Sequence, residues 1–219
     1  MAIIYTVNKL LHIGCGLPGK AIMHKAYMGK DWQTIRIDNF TDAKPDIKTD
    51  LHNLKPLDSN KYNAIWLPHA LSRLEAHQLS KAFMEYYRVL KIGGKVEILQ
   101  YDNQSLAEYM AEGRLEGTVK LNNVDTPIID LVYGNRDAIK QGYEHLKTRT
   151  AFNCATLGKR LVEAKFSDII VKRDGLYLHA SATKLAKPNG KVQVLGNDIN
   201  KIIAERDKLD RPTNLPVEY

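Results

Sequence analysis

Apolar positions along the chain switch between short runs of strand character and stripes of helical spacing. Residues 9–14 (KLLHIG) form an apolar run closed by glycine, the pattern of a strand buried on both faces of a parallel sheet. Residues 18–30 are expected to carry the first helix, with Pro18 near its start. Residues 32–38 (WQTIRID) alternate and hold β-branched side chains, which predicts a second strand. A weak third falls at 46–50 (DIKTD), and a fourth at 62–67 (YNAIWL), cut by Pro68. Leu79, Phe83, Tyr86, Tyr87 and Leu90 recur at helical spacing in 75–90, and Gly93-Gly94 stops that helix. A fifth strand is expected at 95–100, a short helix at 105–112 and a longer one at 152–165. Residues 166–173 and 176–183 read as strands joined by the hairpin-turn dipeptide Asp174-Gly175.

Between these elements, 113–151 keeps no clean period and holds Pro127, Gly134 and Gly142. It is too short for a core of its own and reads as an insertion or lid. After Thr183 the tail opens with a turn, and 198–209 fits a short amphipathic helix with Ile199, Ile202, Ile203 and Leu209 on one side. The expected fold class is therefore α/β: a Rossmann-like, mostly parallel sheet of about seven strands, an antiparallel C-terminal hairpin, and helices on both faces. Residues 1–183 form the ligand-binding domain and 184–219 a C-terminal extension. Ligand binds beyond the C-terminal strand ends, where the strand order reverses.

Composition narrows this little. The 219 residues suit one such domain. The only cysteines, Cys15 and Cys154, lie far apart, so neither a disulfide framework nor a metal site is expected, and the default setting is reducing and cytoplasmic. No run approaches the roughly 18 apolar residues that span a bilayer, no export signal is read, and no membrane partner is expected. The net charge of +7 brings nucleic acid forward as a partner, but the lysines are scattered and read as a solvated surface.

The chemistry starts at Gly14-Cys15-Gly16-Leu17-Pro18-Gly19, which follows the first strand. Glycine there lets a ligand approach the backbone. Asp38 ends the next strand about twenty residues later, where a carboxylate accepts hydrogen bonds from ribose hydroxyls. Both NAD and S-adenosylmethionine (SAM) suit that pair of features. The short chain and the helix, strand, turn, strand ending favour SAM.

The wording of several segments points the same way. Residues 86–98 (YYRVLKIGGKVEI) resemble the helix-to-strand signature of class I SAM-dependent methyltransferases. Residues 11–16 (LHIGCG) resemble the first motif of small methyltransferases of the methyltransferase type 11 group. Pro45–Leu51 is similar to the segment that closes over adenine, 64–71 (AIWLPHAL) to the motif ending the fourth strand, and 149–152 (RTAF) to the sequence that follows the active-site insertion. The resemblance spans residues 9–183. It implies SAM as cofactor, with Gly14, Cys15, Gly16, Gly19, Asp38, Asp50, Leu51 and Pro68 as its contacts. His12 stands where the first motif often has an acid, and Ser72-Arg73 where an acidic-His pair is common.

His69, just past the fourth strand, is a candidate general base because imidazole titrates near neutrality. His145, in the insertion, is a second catalytic candidate. Arg73 can hold a carboxylate or phosphate as a bidentate fork, and Tyr143 and Arg149 are further substrate candidates on the lid. The expected activity is methyl transfer to a small molecule. The alternatives are methylation of RNA, DNA or protein, and a catalytically degenerate partner subunit, suggested by the His12 and Ser72-Arg73 departures. A homodimer or a partner protein is compatible with either.

Overall fold

The computed structural model describes residues 7–121 and 123–195. The tail helix expected at 198–209 lies outside them. Ten strands and five α-helices are found among the described residues. The main sheet has eight strands in the order β10-β8-β9-β5-β4-β1-β2-β3. These are β1 (Asn8–Ile13), β2 (Trp32–Asp38), β3 (Ile47–Lys48), β4 (Tyr62–Pro68), β5 (Leu90–Tyr101), β8 (Ser167–Asp174), β9 (Tyr177–Thr183) and β10 (Val192–Leu195). Strands β1 to β5 pair in parallel, whereas β9 runs antiparallel to both β5 and β8. The mostly parallel sheet and its hairpin match the expected class. The sheet also gains an edge strand beyond Thr183, because β10 pairs in parallel with β8.

Helix α1 (Leu79–Val89) and helix α5 (Cys154–Glu163) pack together on one face. The stripe Leu79, Ala82, Phe83, Tyr86 and Val89 is buried against the sheet. Burying a side chain such as Phe83 or Leu79 contributes about 1.5–3 kcal/mol. Tyr86 is fully buried, and its hydroxyl donates to Leu51 O at 2.8 Å, which removes the penalty of an unpaired phenol. Helical cover is uneven between the faces. Over β1 and β4 the opposite face is closed by Met23 and Tyr27 from an irregular segment and by Trp32 at the start of β2.

That segment is where a helix was expected over residues 18–30. Only a short 3-10 turn forms there, Lys25–Tyr27. The apolar residues Leu17, Ile22, Met23, Tyr27 and Met28 recur at spacings near five, which scatters them around a helix instead of aligning them. The indole of Trp66 donates to Ile22 O at 2.7 Å, taking a carbonyl that a helix would use internally.

The insertion is more ordered than its sequence suggests. It contains the hairpin β6 (Thr118–Leu121) and β7 (Val124–Pro127), then α3 (Ile128–Tyr133) and α4 (Arg136–Lys140). Ile128 and Leu131 pack with Leu106 of α2 (Asn103–Ala111) and Leu176 in a small satellite cluster.

Lys184 closes the end of α1. Its ammonium donates to Asn60 Oδ1 at 2.7 Å and to the carbonyls of Tyr87 and Leu90, each at 2.8 Å. The residue is only 8% exposed, so those acceptors have little water to turn to. Lys184→Met is expected to cost about 2–3 kcal/mol in urea denaturation. A midpoint unchanged from the wild type would show that the ammonium contributes nothing net.

Candidate active site

The site forms at the C-terminal ends of β1, β2 and β4. Gly14 and Gly16 adopt φ of +71° and +64°, in the left-handed region open to glycine. Their roles differ. A Cβ on Gly14 would lie 2.7 Å from Ala70 Cβ, so Gly14 is required by packing against the turn after β4. A Cβ on Gly16 would meet nothing within 4 Å, and Gly16 lines a cavity. Gly16 is thus the open cradle of the loop.

Asp38, 1% exposed, holds that cradle. Its Oδ2 accepts from Gly16 N at 3.1 Å and its Oδ1 from Phe40 N at 3.2 Å. Arg73 Nη1 stands 3.7 Å from Oδ2. A carboxylate has about four acceptor positions, so two bonds leave capacity for hydroxyl donors. From the other side, Arg36 donates to Gly16 O at 2.9 Å and to Ala43 O and Lys44 O at 2.7 and 3.0 Å.

Two cavities meet at this hub. The smaller, ≈ 260 Å³, is lined by Asn39, Asp50, Leu51, His52 and Arg149 among others. The larger, ≈ 490 Å³, lies between Gly16, Leu17, Lys20 and Phe40 on the sheet side and Asn135, Asp137, Gln141 and Tyr143 on the insertion side. Arg73 and His145 belong to both walls. His145 stacks on Phe40 with ring centroids 4.0 Å apart, and Tyr143 meets Phe40 edge-on at 5.6 Å. The insertion therefore lies over the glycine loop as a lid. It is tied down by Arg149 N and Thr150 N, both donating to Ser72 O, at 2.7 and 3.2 Å.

Most of the candidates gather here: Gly16, Asp38, Asp50, Leu51, Arg73, Tyr143, His145 and Arg149. Arg149, expected to meet substrate, is engaged by the fold. Its guanidinium donates to the carbonyls of Arg73, Glu144 and Lys147 and pairs with Glu75 at 3.1 Å. Cys15 is 1% exposed, and burial pushes its thiol pKa up, which keeps it unreactive. Gly19 and Pro68 line neither cavity.

His69 also stands outside both walls. It has φ +52°, strained for a non-glycine residue, and its ring lies 4.3 Å from that of Tyr101 and 6.0 Å from that of Tyr177. Burial and Arg73 lower its pKa to about 4, so it is neutral at pH 7. His145 is pushed down in the same direction by burial first and Arg73 next. Sequence reasoning missed Phe40, Arg36 and Lys20. Only the position of Phe40 two residues after Asp38 hinted at a role, since its partner His145 lies in a distant segment.

The sheet order, the antiparallel β9 and the glycine loop facing Asp38 are the architecture of the class I methyltransferases, enzymes that take a methyl group from SAM. Residues 11–98 match the family profile described as "Methyltransferase domain". Solved structures agree on the fold. A SAM-dependent methyltransferase from Methanosarcina mazei is 17% identical, with a TM-score of 0.55 over 82% of this chain and 93% of that one. Another from Archaeoglobus fulgidus is 14% identical, with a TM-score of 0.53 over 82% and 88%. Phosphoethanolamine N-methyltransferase 2 of Haemonchus contortus, in complex with SAM, is 14% identical, with a TM-score of 0.52 over 82% and 49%. No curated protein matches the sequence. Among the described residues, no helix is long and apolar enough to cross a membrane and no metal-holding cluster occurs.

One residue beneath the loop gives the site a pH dependence. His12 is 1% exposed, neither of its ring nitrogens has a partner, and burial followed by Arg36 lowers its pKa to about 4. The unfolded chain binds that proton near pH 6.5 and the folded chain only near pH 4. Stability is therefore full above 6.5 and falls as pH drops from 6.5 to 4, by about 3 kcal/mol from His12. His69 adds a contribution of the same sign. Glu97, pushed up to about 7 by burial, opposes them in an overlapping window. His12→Leu is expected to retain more of its neutral-pH stability at pH 4.5 than the wild type does. Equal losses in the two proteins, measured by urea titration at each pH, would assign the proton uptake elsewhere.

Proposed function

We propose that the protein transfers the methyl group of SAM to a small-molecule acceptor held beneath the lid. The observation that carries this reading is the pair of cavities that share Arg73 and His145, with Gly16 in the wall of the larger, Asp38 holding Gly16 from behind, and the Phe40–His145 stack beside them. The volumes suit small ligands.

The residues present fit the cofactor. Gly16 offers an open cradle, Asp38 has acceptor capacity for ribose hydroxyls, and Asn39, Asp50 and Leu51 in the smaller cavity suit an adenine. SAM, when bound, supplies an already activated methyl group, so the protein's task is to align the acceptor and exclude water. Lid residues Tyr143 and His145 close the larger cavity for that purpose. Where the acceptor must lose a proton, His145 is the imidazole common to both cavity walls, and its lowered pKa leaves it neutral at pH 7, ready to accept it. His69, packed at a tilt against Tyr101, is assigned to holding the end of β4.

Calorimetry with SAM and S-adenosylhomocysteine, using NAD as control, tests the cofactor. Micromolar binding of the two sulfur compounds and none of NAD is expected. Asp38→Ala should weaken both by about tenfold or more, the effect of losing hydrogen bonds to a charged group. Unchanged affinity in that variant would remove Asp38 as a cofactor ligand.

A further inference from the structure

The turn after β4 leaves one cation without a hydrogen-bond acceptor. Arg73 carries five N–H donors, and its side chain is 17% exposed. Among the described residues none of those donors enters a hydrogen bond. Its one ion pair, with Asp38 at 3.7 Å, is too long to be one. The Asp38 oxygens take the N–H groups of Gly16 and Phe40 instead. The neighbouring arginines behave differently: Arg36 is fixed by three carbonyls, and Arg149 by three carbonyls and Glu75.

With its side chain 17% exposed, the guanidinium meets water only in part, so a ligand that brings acceptors into the cavities would be favoured there. Burial already pulls the Arg73 pKa down, against the opposing pull of Asp38. The side chain sits in the shared wall of both cavities. In the larger one Lys20 is a second cation, and Asp137 is the single carboxylate among the lining residues. The larger cavity is therefore biased towards negative charge in whatever fills it, whereas the smaller one also presents Asp50 and Glu75.

We infer that Arg73 is an oxyanion clamp, whose planar fork receives a carboxylate or phosphate of a ligand at the junction of the two cavities. This rests on reading the cavities as cofactor and acceptor sites. Within that reading the group has two sources: the methionyl carboxylate of SAM, or an anionic acceptor. The shared chemistry is a planar or tetrahedral oxyanion, bound by two parallel N–H donors.

Three ligands separate the sources by calorimetry on the full chain and its Arg73→Gln variant. They are S-adenosylhomocysteine; methylthioadenosine, which keeps adenosine and sulfur but lacks the carboxylate; and inorganic phosphate at fixed ionic strength. If the cofactor supplies the group, the variant binds S-adenosylhomocysteine about tenfold or more weakly and methylthioadenosine within about twofold of the wild type. If an acceptor supplies it, S-adenosylhomocysteine is unaffected and phosphate, bound by the wild type, is not bound by the variant. The clamp is overturned if the variant binds S-adenosylhomocysteine and phosphate as the wild type does. It is equally overturned if both adenosine compounds weaken together, since Arg73 would then act only through Asp38. A wild type that binds neither adenosine compound defeats the cofactor reading, while the phosphate arm still decides the clamp. Arg73→Lys, which keeps the charge without the fork, guards against misfolding of the glutamine variant and should retain part of the affinity.

Discussion

A single buried carboxylate, Asp38, organises the C-terminal end of the parallel strands. Sheltered from water, it is tolerable only because backbone N–H groups and a guanidinium surround it. Those partners come from three separate connections: the loop after β1, the loop after β2 and the turn after β4. Satisfying one charge therefore fixes the relative placement of all three. Arg36 repeats the arrangement with opposite sign, joining the carbonyl of Gly16 to those of Ala43 and Lys44. The glycine loop is gripped through its N–H on one side and its carbonyl on the other, and owes little to the irregular segment that follows it.

The turn after β4 has two duties. Its backbone carbonyls, from Ser72, Arg73 and Leu74, receive the end of the insertion through Arg149 and Thr150. Its side chain at Arg73 reaches into both cavities. Lid anchorage and cavity charge are thus set by the same three residues.

Where local pattern governs local structure, the chain was readable. Strand β2 spans the alternating residues Trp32–Asp38, and α1 buries the stripe read from its spacing. Gly16 and Asp38 were identified because loop and acid sit at the ends of adjacent strands, a relation visible as spacing. The failures have long-range causes. Trp66 claims a carbonyl from the segment expected to be the first helix, and no local propensity reports such a contact. The extra edge strand depends on β8 offering an open side. The three carbonyl partners that hold Arg149 in the wall of the smaller cavity likewise cannot be read from side-chain identity. Phe40 and His145 become neighbours only when the insertion folds back.

The absence of a helix behind the glycine loop also bears on which nucleotides the site can serve. In dinucleotide-binding folds the same kind of loop opens a helix whose first N–H groups and positive dipole end receive a diphosphate. Here the backbone beyond Gly19 is irregular, and the first turn it makes, Lys25–Tyr27, is capped by its own His24 side chain. A diphosphate laid along this loop would find no aligned row of amides to offset its desolvation. A ligand joined through a sulfonium carries no such charge and needs no such row.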